Sequence, residues 1–146
     1  MGDENGGEAL ESARARRATL KSALSAVEVA AASPAAQAEW RPELAAALNV
    51  LREAFDDHVR DVEDPGGLLD VLREEAPHLS GQVGVVQGEH PALEKQIDDV
   101  VAMVDDAAPE EIRDAVLQTL LALARHRQNG ADLVYKAYSV DIGGVG

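Results

Sequence analysis

The stretch LSGQVGVVQGEHPALEKQIDDVVAMVD, residues 79–105, decides the fold because its apolar positions recur at intervals of three and four. Such spacing gives a helix one continuous apolar face, as the seam of a helix bundle requires. The pattern predicts a helix from about Leu79 to Asp105, with Pro91 kinking or restarting it beside His90. The recurring positions are Val83, Val86, His90, Leu93, Ile97, Val100 and Val104.

Three further long helices are predicted on either side of this stretch, because Ala, Leu, Glu and Arg dominate and β-branched runs are scarce. Together they predict one all-α domain over residues 1–146, an antiparallel up-down-up-down four-helix bundle. Residues 1–7 and 139–146 are expected to form loose tails. The predicted ranges are about Glu8 to Ala32, Ala38 to Glu63 and Pro109 to Tyr138, with a short extra helix, Leu68 to Glu75, between the second and third long helices.

Charge and composition exclude several classes of function. The chain has 13 basic and 27 acidic residues and a formal net charge of −14, which argues against nucleic-acid and anionic-membrane partners. The absence of cysteine excludes disulfides and thiolate metal sites. An acidic, Gly-rich start and the lack of an apolar run of about 18 residues predict a cytoplasmic protein.

Three of the four histidines fall on the apolar faces of three different long helices. They are His58, His90 and His126, whereas His78 follows Pro77 and is expected to cap a helix or lie exposed. A rise of about 1.5 Å per residue places the three roughly 22–30 Å from the same end of the bundle. We therefore expect three imidazoles to share one layer of the core.

Carboxylates near these histidines suggest a metal site. Asp61 and Glu63 follow His58, and Glu94 lies one helical turn after His90. Imidazoles are good metal ligands at neutral pH, and carboxylates complete iron sites. The sequence therefore predicts a site formed by the three histidines with Glu94 and with Asp61 or Glu63. In the competing interpretation each histidine is a core residue with one hydrogen-bond partner.

At these residues the chain resembles a divergent branch of the hemerythrin-like (HHE cation-binding) family, from about Arg17 to Gly143. The resemblance implies a four-helix bundle that holds non-haem iron, one or two ions, and binds dioxygen, nitric oxide or peroxide. The segments that carry it are FDDHVRDVEDPGGLL (55–69), the Glu89-His90 step in QGEHPALEKQI (87–97) and LARHRQNGADLVYKAY (123–138).

The ligand set is reduced relative to the family pattern, which uses five histidines. The predicted first helix offers Arg16 and Arg17 at the depth of the site. Val62 and Gly130 stand where the family has carboxylates, and Glu94 replaces a histidine. Three outcomes remain open: a di-iron site rich in carboxylates, a single iron or zinc ion held by the three histidines, and a bundle that has lost its metal.

The preferred hypothesis is a hemerythrin-like metal-binding protein that binds or senses a small oxidant or gas at an open coordination position. The alternative is a metal-free helical interaction scaffold that has lost the site. A peroxide-consuming iron enzyme ranks last, because the sequence supplies no acid–base group away from the three histidines. An Ala-rich face would allow a homodimer.

Overall fold

The computed structural model describes the backbone of residues 2–145 and the side chains of residues 6–139, and over that range it is all-helical. The long helices follow the predicted ranges, and the short helix spans the residues predicted for it. A 3₁₀ turn, Pro77–Leu79, precedes the fourth helix. The helices are α1 (Gly2–Ala32), α2 (Trp40–Glu63), α3 (Leu68–Glu75), α4 (Ser80–Met103) and α5 (Pro109–Val145).

The four long helices pack as a helical bundle, in which α1 contacts α2 and α5, and α4 contacts α2 and α5. The short helix α3 packs against all four. The apolar faces form two clusters, the large core and the small core. The large core includes Leu20, Leu48, Phe55, Leu93, Ile97 and Leu123, and the small core includes Ala13, Val62, Leu72, Val83, Val86 and Leu133.

None of the helices in the described part of the chain combines the length and the apolar character that a membrane span requires.

The turn between α2 and α3 is fixed by two glycines. Gly66 has a φ of +80°, a left-handed conformation that glycine adopts without strain. At Gly67 a Cβ atom would lie 2.4 Å from the carbonyl oxygen of Asp61, so any larger residue clashes. The Gly66 amide also donates to Asp70 Oδ2 at 3.1 Å. This tight turn leads directly into α3, whose Leu68, Leu69 and Leu72 form part of the small core.

The sequence predicts a kink or a restart of the helix at Pro91, and α4 continues through this proline without restarting. The residues expected to form loose tails have helical backbone as far as Gly2 and Val145, and Met1 and Gly146 lie outside the described residues. Each glycine in a tail lowers helix stability by only about 1 kcal/mol, and neither tail contains proline.

Candidate metal centre

The three histidines lie in one layer that separates the large core from the small core. All three are buried, and His90 is only 1% exposed. Arg17, which is half-buried, completes the layer on the helix that has no histidine. On each long helix the residue of this layer stands between a large-core and a small-core residue, and the four are Arg17 on α1, His58 on α2, His90 on α4 and His126 on α5.

The imidazole rings meet edge to face. The ring centroids of His90 and His126 are 4.9 Å apart, and those of His58 lie 5.6 and 5.8 Å from these two. Phe55 lies 5.9–6.1 Å from each ring and forms the floor of the layer on the side of the large core. One ring nitrogen from each histidine lies within 4.8 Å of the others. Ligand nitrogens of a tetrahedral ion lie about 3.3 Å apart, so small ring rotations would bring this set to binding distance.

Carboxylates hold two of the rings from behind. His90 Nδ1 is 2.5 Å from Glu63 Oε2, and His126 Nδ1 is 2.7 Å from Glu89 Oε1. Asn129 donates to the other Glu89 oxygen at 2.9 Å. An imidazole whose Nδ1 donates to a carboxylate keeps its lone pair on Nε2, and this arrangement is typical of metal-ligating histidines.

Two ring nitrogens in the layer have no hydrogen-bond partner although they are buried: His58 Nδ1 and His90 Nε2. Leaving a buried polar atom unpaired costs about 1–3 kcal/mol. A metal ion would use such lone pairs directly. The residues present therefore fit a metal held by imidazole nitrogens.

Burial keeps the imidazoles of His58 and His90 neutral. Burial, with repulsion from His90, His126 and Arg17, lowers the pKa of His58 to about 3. The pKa of His90 is also lowered, because burial outweighs the raising effect of the hydrogen bond to Glu63. The His90–Glu63 contact is thus a hydrogen bond from a neutral ring. Neutral rings offer lone pairs to a metal at neutral pH without first releasing a proton.

A cavity of about 40 Å³ lies against the histidine layer on the side of the small core. One water occupies about 10–15 Å³ on this measure, so the cavity holds a few water-sized groups. Its walls are largely apolar, and the two charged side chains in them are Arg17 and Arg127. The apolar lining includes Val62, Leu68, Leu69, Leu72, Val86 and Leu133.

The predicted carboxylate ligands lie outside the group of three nitrogens. Glu63 is behind His90, as described above. Asp61 accepts a hydrogen bond of 2.5 Å from Ser12 Oγ and so ties α2 to α1. Glu94 is partly exposed, and burial, with the nearby charges of Asp56, Glu63 and Asp98, raises its pKa. Among the described residues, the clustered metal-ligating atoms come from the three histidines alone.

The contact between Glu89 and His126 does not follow from the sequence pattern. Glu89 stands next to His90 but points to His126 on α5, because successive residues of a helix project about 100° apart. In the sequence, Glu89 is part of the Glu89-His90 step that carries the family resemblance, and this step predicts no contact for Glu89. A carboxylate directly before a histidine on an apolar face can contact a side chain on a neighbouring helix, and this position is the sequence signal for such a contact.

Comparisons with protein-family models, with curated proteins and with solved structures find no match. The hemerythrin-like resemblance of the sequence therefore remains a prediction, and the site is described from the geometry of this chain alone.

Proposed function

We propose that the protein is a hemerythrin-like bundle that holds one metal ion, non-haem iron in preference and zinc as the alternative, on His58, His90 and His126. Through that ion it binds or senses a small oxidant or gas such as dioxygen, nitric oxide or peroxide. The observation that carries the proposal is the set of three buried imidazoles with one nitrogen each inside 4.8 Å.

A single ion agrees better with this geometry than a pair. A dinuclear site needs bridging carboxylates, and the carboxylates closest to the rings are hydrogen-bonded to their Nδ1 atoms. Three imidazoles suit iron, zinc, copper or nickel.

We also infer that the bundle is antiparallel, up-down-up-down, since the short connections after α1 and α4 favour antiparallel neighbours.

The residues around the site define what can reach it. A bound ion would supply a Lewis-acidic centre with an open coordination position. The walls of the cavity are largely apolar, and its volume of about 40 Å³ suits a small ligand. Glu63 and Glu89 hold the rings of His90 and His126 in place. The chain is therefore suited to binding a diatomic gas or a peroxide.

Anaerobic titration of the metal-free protein with ferrous iron, followed by nitric oxide, tests this proposal. We expect saturation near one ion per chain and an absorption change on adding nitric oxide. His126→Ala should abolish both, whereas His78→Ala, at an exposed position, should change neither. Equal iron uptake by the wild type and the His126→Ala variant would contradict the proposal.

The metal-free scaffold is the second candidate, and Arg17 is the observation that favours it. Its guanidinium stands in the same layer as the three imidazoles and repels a cation. If the layer is structural only, His90→Leu is neutral or stabilising, since an apolar side chain replaces an unpaired buried nitrogen. If the layer holds a metal, the same variant loses the ion.

A further inference from the structure

The basic residues of this acidic chain divide into two groups by their partners. Among the described side chains, seven contact a carboxylate, amide or carbonyl oxygen: Arg41, Arg52, Arg60, Arg73, Lys95, Arg113 and Lys136. The other six form no hydrogen bond or ion pair there, and all lie on α1 or α5: Arg14, Arg16, Arg17, Lys21, Arg125 and Arg127. Although the chain has 27 acidic residues, the basic side chains without a described partner are thus confined to these two helices.

Four of these unpaired residues converge on one groove between α1 and α5. Arg14, Arg17 and Lys21 recur on one face of α1, and Arg127 faces them from α5. The rest of the lining consists of alanines and Gln128. Gln128 donates to Asp132 at 2.9 Å, and that carboxylate does not line the groove. The groove thus concentrates positive charge and contains no acidic side chain.

Two further observations favour an anionic ligand for this groove. The Nε atom of Arg127 is buried and has no hydrogen-bond partner. Burial, with the neighbouring charges of Arg14 and Arg127, lowers the pKa of Arg17. Guanidinium groups that lie close together without a counterion repel one another. A bound oxyanion would supply a compensating negative charge and a hydrogen-bond acceptor for Arg127 Nε.

We propose that this groove binds a small organic anion, with its phosphate or carboxylate group held by Arg17 and Arg127 and with Arg14 and Lys21 at the rim. The groove has a volume of about 510 Å³, which lies in the range of small-molecule sites. The net charge of −14 opposes a large polyanion such as DNA.

The anion site adjoins the histidine layer. Arg17 and Arg127 line both the groove and the cavity against the imidazoles. An anion held by their guanidiniums therefore lies beside the candidate metal site and neutralises the charge that Arg17 places there. The anion site rests on its own four residues and does not require that the histidines hold a metal.

Calorimetric titration of the metal-free protein at low salt tests the proposal, with inorganic phosphate and citrate as separate probes. Low salt is used because screening weakens exposed charge interactions. We expect one binding event per chain. Arg17→Gln should weaken it about tenfold or more, as the loss of a charge-assisted hydrogen bond implies, and Lys21→Gln, at the exposed rim, should weaken it about twofold to fivefold. Tighter binding of phosphate identifies a phosphate ligand, and tighter binding of citrate a carboxylate; either supports the proposal.

The matched controls are Arg16→Gln and Arg125→Gln, which remove an unpaired charge on the same two helices but outside the groove. We expect unchanged affinity in both, with native helix content by circular dichroism in every variant. Lys21 is exposed, so its variant keeps the test valid if Arg17→Gln does not fold. No binding of either probe, an equal loss in the controls, or tighter binding of duplex DNA through the same residues would overturn the proposal.

Discussion

Replacing His58 by leucine should remove a large part of the acid sensitivity of the metal-free protein. The pKa of His58 is lowered to about 3 in the folded chain, against 6.5 for a free histidine. As the pH falls below 6.5, His58 becomes protonated in the unfolded chain, while its ring stays neutral in the folded chain. The contribution of the neutral His58 ring to folding stability is therefore fully present above pH 6.5 and is lost as the pH falls towards 3.

The magnitude follows from proton linkage. Each pH unit below 6.5 costs about 1.4 kcal/mol for one such group. Between pH 7 and about pH 4.5, the protonation of His58 should thus remove about 3 kcal/mol from the free energy of unfolding. Removing the ring from the core removes this contribution.

Urea denaturation at a series of pH values measures the effect, with metal removed by chelation. We expect the stability of the wild type to fall relative to that of His58→Leu by about 3 kcal/mol over this range. His78→Leu, which removes an exposed imidazole, controls for the loss of one titratable group. If the curves of His58→Leu and the wild type run parallel, the ring is not held neutral by burial and the reasoning fails.

Three further predictions concern the floor of the site, its supporting carboxylate and the turn between α2 and α3. Phe55→Ala should lower the free energy of unfolding by about 3–5 kcal/mol, because a fully buried ring leaves a cavity; the midpoint of urea denaturation measures this. Glu89→Gln should weaken metal binding about 10–100-fold without loss of fold, as measured by competition with a chromophoric chelator. Gly67→Ala should cost more than about 1 kcal/mol, because its Cβ meets the Asp61 carbonyl, whereas Gly84→Ala, with open space around it, should stabilise α4 by about 0.5–1 kcal/mol; thermal melts compare the two.

The histidine layer could be predicted because it depends on quantities that sequence contains. Spacings of three and four placed His58, His90 and His126 on apolar faces, and the rise per residue placed them at similar depth. The helix boundaries at the connections after α1 and α4 differ from the predicted ones by at most two residues, so the estimated depth of each histidine changes by less than one turn. The same estimate placed Arg17 at this depth on α1, where it lines the cavity.

The roles of the carboxylates could not be predicted in the same way. Asp61 and Glu63 lie three and five residues after His58, yet Asp61 accepts a hydrogen bond from Ser12 on α1 and Glu63 contacts His90 on α4. The outcome depends on which helix faces each side chain across the bundle. Sequence from one helix does not contain that information, and the same reason hid the contact from Glu89 to α5.

Elemental analysis of protein expressed with added iron and kept from chelators tests the metal site most directly. We predict close to one transition-metal ion per chain in the wild type, and none in a His90→Leu variant with the same helix content. A folded, stable wild type that contains no metal and takes up neither iron nor zinc on titration would contradict the metal site and favour the scaffold.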